Sequence, residues 1–185
     1  MKKLVSIRIF IIGFQYAAVA SSLVANAGEV KFTAIGKPGF LKIHGQSKGD
    51  FPKGEIQISN GQASGDFEFN LKNLDTGIEL RNEHMKEKYL EIGKFPTAKL
   101  KIEPIAVSEE ELKSDFSKKF QGQLLLHGVT KSVSGNFDYQ AKTKNVVAKF
   151  NLKVSDFNIA VPQYLGVTVS ENVETEVLVK LKDKE

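Results

Sequence analysis

Over most of its length the chain alternates apolar and polar residues, and few folds tolerate that pattern. A period of two is the mark of strands with one face buried and the other in water. Val30, Phe32 and Ala34 begin it, and Leu41, Ile43, Ile56 and Ile58 continue it. Asn60-Gly61 follows, a strong signal for a two-residue hairpin. Phe67, Phe69 and Leu71 then alternate with Asp66, Glu68 and Asn70, and Ala98, Leu100 and Ile102 resume the pattern. Phe116, Phe120, Leu124 and Leu126 share one parity, as do Val129, Val133, Phe137 and Tyr139. Val146, Ala148, Phe150, Leu152 and Val154 form a further run, and Val173, Val177, Val179 and Leu181 a closing one. The expected fold is all-β, with eight or nine antiparallel strands in a barrel or sandwich. A flat sheet this long leaves edges open to aggregation, so closure is favoured. Eight strands enclose either packed side chains or room for one small ligand. Gly45, Gly122 and Gly135 sit at apolar parity, which saves volume and tilts the expectation toward an open lumen.

The alternation breaks most clearly over residues 74–100, LDTGIELRNEHMKEKYLEIGKFPTAKL. Leu80, His84, Tyr89 and Ile92, with Met85 between them, recur near helical spacing, and charges fill the gaps. Thr76-Gly77 opens the segment as a turn, and Gly93 with Pro96 closes it. A short helix near residues 81–91 is therefore expected, set into a protein of strands. Glu83, Glu87 and Glu91 lie four apart and repel mildly, which assigns them to its solvated side. Ser108 with Glu111 fits a capping box for a single helical turn, where Glu109 to Glu111 are expected at the surface.

Residues 1–27 read as a secretory leader. Lys2, Lys3 and Arg8 give a basic start, residues 9–20 are largely apolar, and Ala25-Asn26-Ala27 is a small-x-small cleavage site before Gly28. The apolar run is too short and interrupted to span a membrane. The expected product is one domain over residues 28–185, periplasmic or secreted and not membrane-spanning. The leader holds three of the 26 basic residues and none of the 22 acidic ones, leaving 23 basic against 22 acidic. The basic isoelectric point thus reflects the leader, and no nucleic-acid partner is expected. The absence of cysteine excludes disulfides, thiolate metal sites and cysteine nucleophiles.

His44, His84 and His127 show no HxH or HxxxH spacing, so no metal is expected. There is no Gly-x-Ser-x-Gly elbow and no cysteine, and the chain is not expected to be an enzyme or to carry a cofactor. Residues 159–169 form a loop rich in apolar residues, a candidate for a lumen mouth or a homodimer contact.

Two stretches carry a family resemblance. One is Leu74-Asp75-Thr76-Gly77, Arg81-Asn82-Glu83-His84-Met85-Lys86, Tyr89-Leu90 and Lys94-Phe95-Pro96-Thr97-Ala98. The other is Gly122-Gln123-Leu124-Leu125-Leu126-His127-Gly128-Val129-Thr130-Lys131-Ser132-Val133. They resemble the YceI-like family, and the likeness runs in order through the chain beyond the leader. At Asn82, Met85 and Ser132 the chain departs from the family's usual Asp, Leu and Pro. The resemblance implies an extended, eight-stranded lipocalin-like barrel whose long apolar cavity binds a polyisoprenoid or similar long-chain amphiphilic lipid, with dimers common. It points to an exported carrier or sequestering protein. The alternative is a solid-cored barrel that docks a partner protein through Tyr164 and Leu165.

On the resemblance, Arg81 and His84, three apart on one helix face, would hold the polar or phosphate head of the lipid. The structural alternative is that they cap the helix and tie it to the rim. Phe67, Phe69, Leu100, Phe120, Leu124, Phe137 and Phe150 would line the apolar tunnel if the lumen is open, or pack a core if it is filled.

Overall fold

Two tight turns show how local chemistry sets the strand register. In the computed structural model, which describes residues 21–37, 41–164 and 167–184, Asn60 and Gly61 both take positive φ (52° and 70°). They join β3 (Lys53–Ser59) to β4 (Gln62–Asn70) as the expected two-residue hairpin. His127 and Gly128 do the same (51° and 74°) between β7 (Phe116–Leu126) and β8 (Val129–Gln140). A two-residue turn leaves no slack, so each hairpin's inward parity follows from its position.

The remaining strands are β1 (Ser21–Lys37), β2 (Lys42–Ser47), β5 (Leu74–Asp75), β6 (Thr97–Ala106), β9 (Asn145–Lys153), β10 (Gln163–Tyr164) and β11 (Val167–Asp183). All pairings are antiparallel, and β1 joins β11 to close the sheet into an eight-strand barrel. Around it run β1, β3, β4, β6, β7, β8, β9 and β11. β1 has two partners on its other edge: Ser21–Val24 pair with β3, and Lys31–Ile35 pair with β2. Strand β1 therefore starts before the expected cleavage site, and residues 21–27 are hydrogen-bonded strand; residues 1–20 lie outside the described part.

The helical insert follows β5 as α1 (Glu79–Glu83), which widens into a π-helical turn over His84–Tyr89. It begins two residues earlier than the periodicity suggests. The Ser108 capping box forms as expected: the Ser108 hydroxyl accepts from the Glu111 amide at 3.2 Å, and the Glu111 carboxylate accepts from the Ser108 amide at 2.9 Å.

Two apolar clusters hold the barrel. The larger contains Phe69, Leu71, Leu74, Phe120, Leu124, Leu126 and Phe150, with Met85, Tyr89 and Ile92 of the insert packed on it. The smaller contains Leu23, Ile58, Val179 and Leu181. Within the first, the register sets Phe120 beside Gly135 and Gly135 beside Phe150 on adjacent strands. The two rings lean over the glycine and meet edge to face, with centroids 5.9 Å apart at 88°. A Cβ at Gly135 would collide with the Lys149 carbonyl and press on both phenylalanines, and one at Gly45 would strike the Phe32 ring. These glycines do not widen the lumen as their parity suggests; neighbouring rings take the space. Gly135→Val should cost about 1–3 kcal/mol by overpacking. Thermal unfolding followed by circular dichroism should show a midpoint lower by roughly 2–12 °C.

Candidate functional site

The lumen is open. A cavity of ≈ 730 Å³ runs between residues of both clusters, and its wall is almost wholly apolar. That volume is in the range of small-molecule sites. A barrel whose inward side chains filled it would have none, so the solid-cored alternative loses its premise.

The alternation in each strand sends its apolar parity inward, and the wall follows from that. Phe67 and Phe69 reach the cavity from β4, Leu100 from β6, Phe120 and Leu124 from β7, Phe137 from β8 and Phe150 from β9. Each was legible from parity alone. The tunnel end nearer the insert is bordered by Leu41, Thr76, Ile78, Leu80, Pro162 and Gln163. Leu41, Ile78 and Leu80 there remain 37%, 50% and 49% exposed, so this mouth has an apolar rim facing water.

Arg81 and His84 also line the cavity, and both are half-buried. Among the described residues no carboxylate pairs with Arg81. A half-buried guanidinium beside apolar wall is therefore left with five donors and no anion. Arg81 therefore makes no ion-paired tie to the rim among the described residues.

The insert is tied down elsewhere. Asn82, not Arg81, anchors its start: its side-chain carbonyl accepts from the Thr76 amide (2.7 Å) and hydroxyl (2.8 Å), and its amide donates to Asp75 at 2.6 Å. Asp75 also accepts from the Gly77 amide at 2.8 Å and faces Lys48 at 3.2 Å. Those donors, the Gly77 amide first, then Asn82 and Lys48, hold its carboxyl at about 2, below the usual 3.8.

At the far end of the insert, Glu91 leaves the helix with φ +44°, which turns its carboxylate back toward the barrel. There it accepts from His127 Nε2 at 3.0 Å and from Lys94 at 2.6 Å, and both partners, Lys94 foremost, lower its pKa. Glu91 is a tie rather than the solvated residue its four-residue spacing suggests, because the helix has ended before it. Glu83 and Glu87 are exposed as expected. His127 Nδ1 faces the Phe157 carbonyl at 3.1 Å, and Phe95 packs on the ring with centroids 4.5 Å apart. Both ring nitrogens thus face oxygen acceptors. This junction joins the insert, the β7–β8 turn and the 3-10 turn Val154–Phe157 that follows β9.

The apolar loop after β9 is less exposed than its composition suggests. Ile159 is 4% exposed and belongs to the larger cluster, while Pro162, Gln163 and Val169 border the cavity. The Tyr89 hydroxyl accepts from the Gln163 amide at 3.3 Å, which links this loop to the insert. Leu165 and the Tyr164 side chain lie outside the described residues. The three histidines do not converge: His44 bonds Thr33, and His127 bonds Glu91. Among the described residues there is no group of three His, Cys, Asp or Glu side chains able to hold a metal, and no helix long and apolar enough to cross a membrane.

The family model described as the YceI-like domain matches residues 22–181. The fold is shared with two solved structures of low sequence identity. One is a polyisoprenoid binding domain from Saccharophagus degradans implicated in plant cell wall breakdown, at a TM-score of 0.63 and 18% identity, covering 91% of this chain and 100% of that one. The other is BcnA of Burkholderia cenocepacia, at 0.62 and 15% identity, covering 84% of this chain and 96% of that one. No curated protein sequence matches the chain significantly.

Two outcomes follow from the anchors. His127→Ala leaves the Phe157 carbonyl unpaired and Phe95 without its ring partner, and should cost about 1–3 kcal/mol; urea unfolding measures it. Asp75 has a depressed folded-state value, so its contribution is full above about 4 and is lost as pH falls toward about 2. Amide exchange over residues 76–83 should accelerate across that window, and Asp75→Asn should flatten the response.

Proposed function

Because the chain belongs to the YceI-like domain family and its barrel keeps an open apolar lumen, we propose that it binds a long-chain isoprenoid or similar amphiphilic lipid there. It does so as an exported carrier or sequestering protein rather than as an enzyme. The observation that carries this reading is the ≈ 730 Å³ cavity with its apolar wall and the unpaired Arg81 beside it. The name of the Saccharophagus degradans neighbour, a polyisoprenoid binding domain, supports the ligand class. The leader features of residues 1–27 support export.

Physical magnitudes favour a chain-like ligand. Each buried methylene contributes ~0.8 kcal/mol, so a five-carbon isoprene unit contributes up to ~4 kcal/mol before the entropy of ordering is subtracted. A few units therefore suffice for tight binding with very few polar contacts. Arg81, with His84 beside it on the insert, supplies those contacts to an anionic head, a phosphate or carboxylate, through charge-assisted hydrogen bonds. Phe67, Phe69, Leu100, Phe120, Leu124, Phe137 and Phe150 supply the wall for the tail.

Solvent extraction of the purified protein followed by mass spectrometry should release a long-chain lipid. Protein that emerges lipid-free, and takes up neither polyprenol nor polyprenyl phosphate when offered them, overturns the reading. Arg81→Ala should weaken polyprenyl phosphate by roughly tenfold or more, the worth of a hydrogen bond to a charged group. It should leave binding of the uncharged polyprenol unchanged, as titration of both lipids will show.

A further inference from the structure

The barrel end opposite the insert is closed by residues that the sequence assigns to the leader. Ser21–Val24 pair with Ile58–Glu55 of β3, and residues 23–27 pair with residues 180–183 of β11. This short stretch is therefore the staple between β3 and β11 at that end. Leu23 is its inward plug. It is 8% exposed, packs with Ile58, Val179 and Leu181, and lines the same cavity as they do. β2 cannot take over, because it pairs with β1 only from Lys31 onward.

We propose that cleavage of the leader after Ala27 removes this plug and opens a second, lateral portal into the lumen between β3 and β11. Losing seven residues removes about 23 Å of strand at ~3.3 Å per residue. The gap left between β3 and β11 is the width of the strand that occupied it, and a hydrocarbon chain is thinner than a peptide strand. Ile56, Ile58, Val179 and Leu181 then form an apolar sill, and the backbone of β3 over Glu55–Ile58 becomes a free edge. A ligand chain longer than the closed lumen leaves through this portal, so tail length is not limited by the barrel. The statement about ligand rests on the carrier reading above; the portal itself does not.

The chain has no cysteine, which makes accessibility measurable at single sites. Ile58→Cys and, separately, Val179→Cys are introduced on the two sides of the seam, with Leu124→Cys, on the lumen wall toward the insert end of β7, as a control. Each is made as the exported, processed protein and as the full-length chain produced without export, and both are labelled with a bulky maleimide. Intact mass gives the start of the processed chain, expected at Gly28. Both seam cysteines should label at least about tenfold faster in the processed form, while Leu124→Cys changes little, and the amides of Glu55–Ile58 should lose protection.

Equal labelling in the two forms overturns the proposal, since it means that β3 has zipped onto β11. So does a processed chain that keeps Leu23, or one trimmed to Gly28 that fails to fold. Fast labelling without polyprenol binding retains the portal and removes the carrier reading.

Discussion

Backbone hydrogen bonding between the first and last long strands is the constraint on which the rest depends. Each of the two spans 17 residues, and their antiparallel ladder converts a sheet into a barrel. Closure removes the edges that an open sheet of this length would leave. It also creates an inside. With the register set by tight turns, one parity of every wall strand must face that inside, and the apolar lining follows with no further instruction.

Whether the inside is filled is a separate matter, settled by packing. Gly135 gives its space to Phe120 and Phe150, and Gly45 gives its space to Phe32. The aromatic side chains thus lie tightly along the wall, one against another, and leave the axis free.

The helical insert borders one end of this lumen and is held at both of its own ends. Asp75 and Asn82 fix where it begins, and Glu91 with His127 fixes where it returns to the barrel. The polar chemistry of anchoring is spent on those residues. Arg81 is spared from it, which is why a cation can stand unpaired beside an apolar wall. The barrel thus separates structural polarity from the polarity offered to a ligand.

Parity made much of this legible. It placed the seven wall residues from Phe67 to Phe150, and the Thr-Gly turn with the helical spacing placed Arg81 and His84. Parity is local, and it survives because a one-residue slip would turn the whole strand inside out. The same locality hid other features. Glu91 looked solvated by its spacing, but a single positive φ turned it to His127, 36 residues away. Ile159 looked exposed in an apolar loop, but it joins the core. Residues 21–27 read as a leader and yet form paired strand, because neither β3 nor β11 is near them in sequence. The sequence by itself determined the strand faces, the hairpin turns and the place of the insert, since these depend on side-chain period and backbone preference within a few residues. The open lumen, the unpaired guanidinium and the closure of the seam were decided only by tertiary structure, because each depends on which distant strands meet and what they leave between them.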